Sequence, residues 1–306
     1  MANPESSAPA SWAIGGGTVQ APLARPVHSR SIWWRLVRNP RVIVGGTVLL
    51  AFYLIALLAP IVAPEDPNKQ ELIERLKAPS LAHPMGTDGL GRDILSRAIW
   101  GARLSLLISV VATLVSIVIG AQLGLIAGWF GGWLDNLLMR IADVFLAFPI
   151  FILLITVVAI YGSSALLLIL FLGLAAWPQT ARLARAEVLS LAKREFVLAA
   201  RVSGASNRRI LFVHILPHLI PLLMVAATLR VAIVLLVEAA LSYFGLGVTP
   251  PTPTWGNMIA DGRTYLATAW WITTFPGLLI VTTVLMYNLL GDGMRRALDP
   301  PRVSRL

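Results

Sequence analysis

From Leu104 to Phe130 the chain runs 27 residues without a charged side chain. About 20 such residues suffice for a helix to cross a bilayer. Backbone groups in hydrocarbon must be bonded within their own segment, which selects helices over open strands. Five more apolar runs accompany this one. Val42 to Ala63 is 22 residues without a charge. Leu137 to Ile160 is interrupted by Arg140 and Asp143 near its start. The others are Ser163 to Ala181, Leu219 to Gly247 (which holds Arg230 and Glu238) and Trp270 to Leu290. The expected fold class is therefore all-α: a polytopic membrane protein with six transmembrane helices.

Composition agrees. Hydrophobic residues are 57% of the 306, and only 13% are charged, against roughly 25% in a soluble domain. Apolar content is too high for a disordered chain. With no cysteine, neither a disulfide scaffold nor thiolate chemistry is possible. The net charge of +10 could suggest nucleic acid, but no basic patch interleaved with aromatics appears, so no nucleic-acid partner is expected. The bases sit between the apolar runs, as they do in membrane proteins with Arg-rich cytoplasmic segments.

Six spans put both termini on one side. If that side is the cytoplasm, the inside segments carry seventeen Lys and Arg and the outside segments seven. The positive-inside rule then chooses both termini cytoplasmic, in the cell (plasma or inner) membrane. Residues 1–41 read as a cytoplasmic tail, 42–290 as the six-span domain and 291–306 as a second cytoplasmic tail. No basic segment begins the chain, and its first apolar run is long and deep, which suits a retained anchor rather than a cleaved signal. Two connections are long enough to suggest function: an outer one, 64–103, and an inner one, 182–218.

The inner segment Arg182 to Ser203 has no Gly or Pro and is rich in helix formers. Leu189, Ala192, Phe196, Ala199 and Ser203 recur at helical spacing and predict one apolar stripe. Gly204 supplies a stop. Ser206 can cap a second short helix, Asn207 to Leu216, ahead of Pro217. Helix, glycine turn, helix makes an elbow. Local physics alone allows two readings of it: a docking arm for an acidic partner, or an amphipathic surface helix on membrane lipid.

The run Glu195 to Pro217, with Ala199-Ala200, Gly204 and Leu216-Pro217 in register, resembles the EAA loop of bacterial ABC-importer permeases. The Glu of that family pattern is replaced here by Leu198. Three further segments resemble signatures of the dipeptide, oligopeptide, nickel and glutathione permeases. They are His83 to Arg97, Pro250 to Gly256 and Gly291 to Pro300. The pattern is similar to the "C" permease of dipeptide transporters.

The resemblance implies a type I ABC-importer permease fold and a translocation path for peptides built half from this chain. It implies as partners a second homologous permease, one or two ATP-binding subunits that hold ATP and Mg, and a periplasmic or lipid-anchored solute-binding protein. The elbow residues Ala199, Ala200, Arg201, Ser203, Gly204, Ala205 and Ser206 would couple to the ATPase. Nickel or glutathione could replace peptide within the same group. An ATP-independent secondary transporter is the alternative class, and it would call for inverted repeats.

This chain shows no Walker phosphate loop and no catalytic constellation, so no enzyme activity or cofactor of its own is expected. The cluster Gly86, Gly89, Gly91 reads as a turn before a helix. His214 and His218 lack further ligands, so no metal site is expected. Gly120, Gly124 and Gly128 make a small-residue edge suited to close helix packing, either within the chain or against a partner permease. Charged side chains within spans are costly and should face protein or water. Arg230 and Glu238 stand about 80° apart around a helix, too far for a mutual salt bridge. They either line the solute route or pair with other spans; Asp143 suits a structural or interfacial pairing.

Overall fold

The computed structural model describes residues 36–298. Most of the expected N-terminal tail and the end of the C-terminal tail lie outside the described residues. Among those described there is no strand, only an isolated antiparallel bridge between Thr87 and Asp93.

Helix α1, Pro40–Leu57, starts on the Asn39 side chain, which accepts the Arg41 amide at 3.0 Å. Pro60 has no amide to continue the ladder, so the first apolar run breaks at Leu58 and resumes as the short α2, Ala59–Val62. Helix α3, Ile94–Phe130, is 37 residues long and starts ten residues before the expected Leu104. Asp93 caps it, accepting the Ser96 amide at 2.7 Å. The third apolar run is not straight. It forms α4, Gly132–Ala147, and α5, Ile150–Tyr161, bent by 81°. Pro149 causes this, because a residue before proline avoids the helical region and Phe148 is extended.

Helix α6, Ala165–Leu191, carries the fourth span past Ala181 into the inner connection. Helix α7, Glu195–Val202, and α8, Asn207–Arg209, form the elbow. A π-helical stretch, Ile210–Ile215, then leads into α9, Leu216–Tyr243. Helix α10, Trp255–Gly262, precedes α11, Trp271–Leu298. The last helix therefore runs eight residues into the segment expected as tail. Five helices are long and apolar enough to cross a membrane, and the bent pair α4–α5 is apolar enough to be a sixth when taken as one broken span.

The α3–α6 contact is the most extensive in the bundle. A Cβ placed on Gly120, Gly124 or Gly128 would come within 3 Å of Thr180, Ala181 or Arg185 of α6. Gly173 of α6 answers against Ala112 and Val115 of α3. Small residues let the backbones touch, and dispersion holds the seam. The edge formed by the three glycines is thus occupied within the chain. Helices α1, α9 and α11 complete the bundle; the Tyr53 and Tyr287 hydroxyls bond across it.

Candidate functional site

The elbow closes one end of the bundle. Its first helix is shorter than the sequence suggests. The stretch 182–203 is not one helix: α6 ends at Leu191, and Ala192 to Arg194 form a turn before α7. Nothing in Ala-Lys-Arg breaks a helix locally. Burial of Val197 in a core with Val188, Leu191, Ile210, Leu211 and Ile215 rewards the turn, and tertiary packing overrides propensity. The stripe Leu189, Ala192, Phe196, Ala199, Ser203 is accordingly split, and Leu189, Ala199 and Ser203 are exposed.

Gly204 does end the helix, at φ +78°. The Gly204 amide donates to the Arg201 carbonyl and the Ala205 amide to that of Ala200, each at 3.0 Å. These two bonds are the Schellman pattern, which satisfies carbonyls left over at a helix end. Ser206 accepts the Arg209 amide at 3.4 Å and starts the return helix. Pro217 does not stop that helix. The wider π turn before it absorbs the missing amide and the ring's clash with the preceding turn, so the elbow runs into α9.

The faces of α7 differ. Ala200 and Ala205 pack inward beside Val197. Ala199, Arg201, Ser203, Gly204 and Ser206 face outward, with Leu198 46% and Val202 90% exposed. Two aromatic contacts that the sequence did not signal anchor the elbow. The Arg201 guanidinium lies 4.5 Å from the ring centroid of Trp129, at the end of α3, a cation–π contact worth about 0.5–1 kcal/mol where exposed. Phe196 stacks on His218 of α9 at 4.9 Å. Beside the elbow, Arg185 grips Asp135 of α4 with two bonds of 2.5 and 2.6 Å. Arg182 reaches Asp143, so Asp143 has a structural partner.

The opposite end carries a cap built from two of the motif segments. Asp88 accepts Arg92 Nε at 2.6 Å. Arg92 and Arg97 reach Asp261 of α10 at 3.2 and 3.4 Å. Partial burial pushes the Asp261 carboxyl above the ordinary carboxylate range, against the pull of Arg97 and Arg92. The Trp255 indole donates to the Ala98 carbonyl at 2.9 Å, and its amide to Ser105 Oγ at 3.2 Å. Gly91, at φ +75°, has no room for a side chain against the Glu71 carbonyl, which makes the glycine cluster a turn ahead of α3.

Arg230 and Glu238 are not brought together. Glu238 has no exposed surface and accepts from Ser242 Oγ at 2.8 Å. Its second oxygen has no partner among the described residues. Arg230 is half-buried on α9. Among the described residues no three His, Cys, Asp or Glu side chains converge to hold a metal.

Comparison with known proteins now decides the family. The model described as "Binding-protein-dependent transport system inner membrane component" matches residues 120–304. This chain belongs to that family. The family's match takes in the elbow and the last four crossings. A second model, the N-terminal TM domain of oligopeptide transport permease C, matches residues 29–79. The chain is 45% identical over 277 residues to the dipeptide transport system permease protein DppC of Escherichia coli K12, covering 89% of this chain and 92% of that one. It is 40% identical over 284 residues to the di/tripeptide transport system permease protein DppC of Pseudomonas aeruginosa, covering 91% and 94%. Among solved structures, a chain of the methionine ABC transporter MetNI in an inward-facing conformation matches with TM-score 0.54 and 22% identity, over 66% of this chain and 97% of that one. That likeness is one of fold, over about two thirds of this chain.

Proposed function

We propose that this chain is a permease subunit of an ATP-driven peptide importer. It forms half of the path for di- or oligopeptides and hydrolyses no ATP itself. The elbow end faces the cytoplasm with both termini, and the cap faces outward toward a solute-binding protein. A second, homologous permease supplies the other half of the path, and separate subunits bind ATP and Mg. Half-buried Arg230 suits the wall of that path; Glu238, enclosed by its own chain, suits a structural post.

One observation carries the reading. Helix α7 offers Leu198, Ala199, Arg201 and Val202 outward while Val197, Phe196 and Ala200 root it in the bundle. An apolar knob on a firmly based helix fits a cleft in a motor subunit. Closure of that motor can then move the bundle between two discrete packings.

The test is uptake of a radiolabelled dipeptide by proteoliposomes holding the complete complex, with binding protein outside and ATP inside. Uptake should require ATP and should fall at least tenfold in Val202→Asp, with less ATPase subunit co-purified. Uptake driven by an ion gradient without ATP would overturn the proposal.

A further inference from the structure

A cavity of about 570 Å³ opens at the elbow end between α6, α9 and α11. Most of its wall is apolar and comes from α9. Three polar groups interrupt that wall, one from each helix: Glu187 of α6, His218 of α9 and Arg295 of α11. Glu187 and Arg295 have opposite charge, yet no ion pair joins them. Neither bonds any other described residue. Charged groups near the cavity are paired off elsewhere: Arg185 with Asp135, and Arg182 with Asp143. Concave, mostly apolar sites with a few convergent polar groups are where small ligands bind. Unlike charges kept apart across such a site match a ligand carrying both.

We infer that this cavity binds a small zwitterion, a free amino acid or a short peptide with unblocked ends. Its carboxylate meets the Arg295 guanidinium, its ammonium meets Glu187, and its side chain lies on α9. His218 adds an acceptor. Its Nδ1 donates to the His214 carbonyl at 2.8 Å, and in a neutral imidazole that bond makes Nε2 the acceptor. The same imidazole stacks on Phe196 of α7. A ligand in the cavity therefore touches the ring that braces the docking helix. Peptide already delivered to this side is then positioned to slow further turnover.

The inference rests on the peptide-import reading for its ligand, and the two can fail separately. The whole transporter, in nanodiscs and without binding protein, is titrated with radiolabelled dialanine. Saturable binding is expected, weakened about tenfold or more by Glu187→Gln and by Arg295→Gln, since one charge-assisted bond is worth that much. Glu187→Asp and Arg295→Lys keep the charges and should retain most of the affinity, which separates recognition from misfolding. N-acetyl-dialanine and dialanine amide should compete poorly. Dialanine inside proteoliposomes should also slow uptake by the native complex, and less so in the Gln variants. Equal binding by native and Gln variants would overturn the inference. So would equal competition by blocked peptides, or phosphatidylethanolamine holding the cavity against millimolar dialanine. ATP-dependent uptake with any of these results would leave the import reading standing. Loss of ATP-dependent uptake in the native complex would instead overturn that reading.

Discussion

Gly124 shows how narrow the tolerance of single positions is. A methyl group there would run into the Ala181 carbonyl and the Ala184 side chain of α6. Overpacking a close contact costs about 1–3 kcal/mol, and a leucine has nowhere to go between two backbones. Gly124→Leu should therefore lower the thermal unfolding midpoint of the detergent-solubilised chain by several degrees, whereas Gly46→Leu, with open space around it, should not. Equal melting of the two variants would show that α3 and α6 are not held this tightly. The glycine spacing was legible in the sequence, but its partner helix was not, because a small-residue edge does not say what lies against it. The anchoring pairs Arg201–Trp129 and Phe196–His218 were hidden for a related reason. Their members are 72 and 22 residues apart in the chain, and only the fold brings them together.

Among elements, α7 was both the most and the least readable. Its end was announced by Gly204, whose left-handed backbone suits glycine. Its start, the turn from Ala192 to Arg194, carried no local signal, since burial of Val197 from further along the chain makes it. Gly204→Ala keeps open space around the new methyl but forces alanine into φ +78°, at about 1–2 kcal/mol. We expect the last turn of α7 to fray, with faster amide exchange at Ala205 and weaker coupling of ATP hydrolysis to uptake. Gly204→Asn should be milder, because asparagine tolerates that conformation. The bend at Phe148 teaches a different lesson. Pro149 causes it, but the apolar run from Leu137 to Ile160, interrupted by Arg140 and Asp143 alone, reads as one helix. Hydropathy reports solvent, and it does not report backbone direction.

At the scale of the molecule, an all-helical bundle of membrane spans followed from the sequence because hydrocarbon leaves a chain few choices. Helix ends did not. Helices α3, α6 and α11 all extend past their apolar runs, where packing onto cap or elbow replaces lipid. Orientation can be read directly, because the chain contains no cysteine and any introduced thiol is unique. A thiol at Val202, 90% exposed on the elbow, should react with a membrane-impermeant maleimide only in inverted vesicles. One at Leu81, fully exposed near the cap, should react in intact spheroplasts. The reverse pattern would turn the bundle over in the membrane.

The glycine seam sets how this bundle can transmit a push. Two rods meshed backbone to backbone have no cushion of long side chains to slip or shear. They must tilt together, and α6 with its 27 residues is a beam of about 40 Å. A nudge of an ångström or two at its elbow end would be passed along to the opposite end of the bundle.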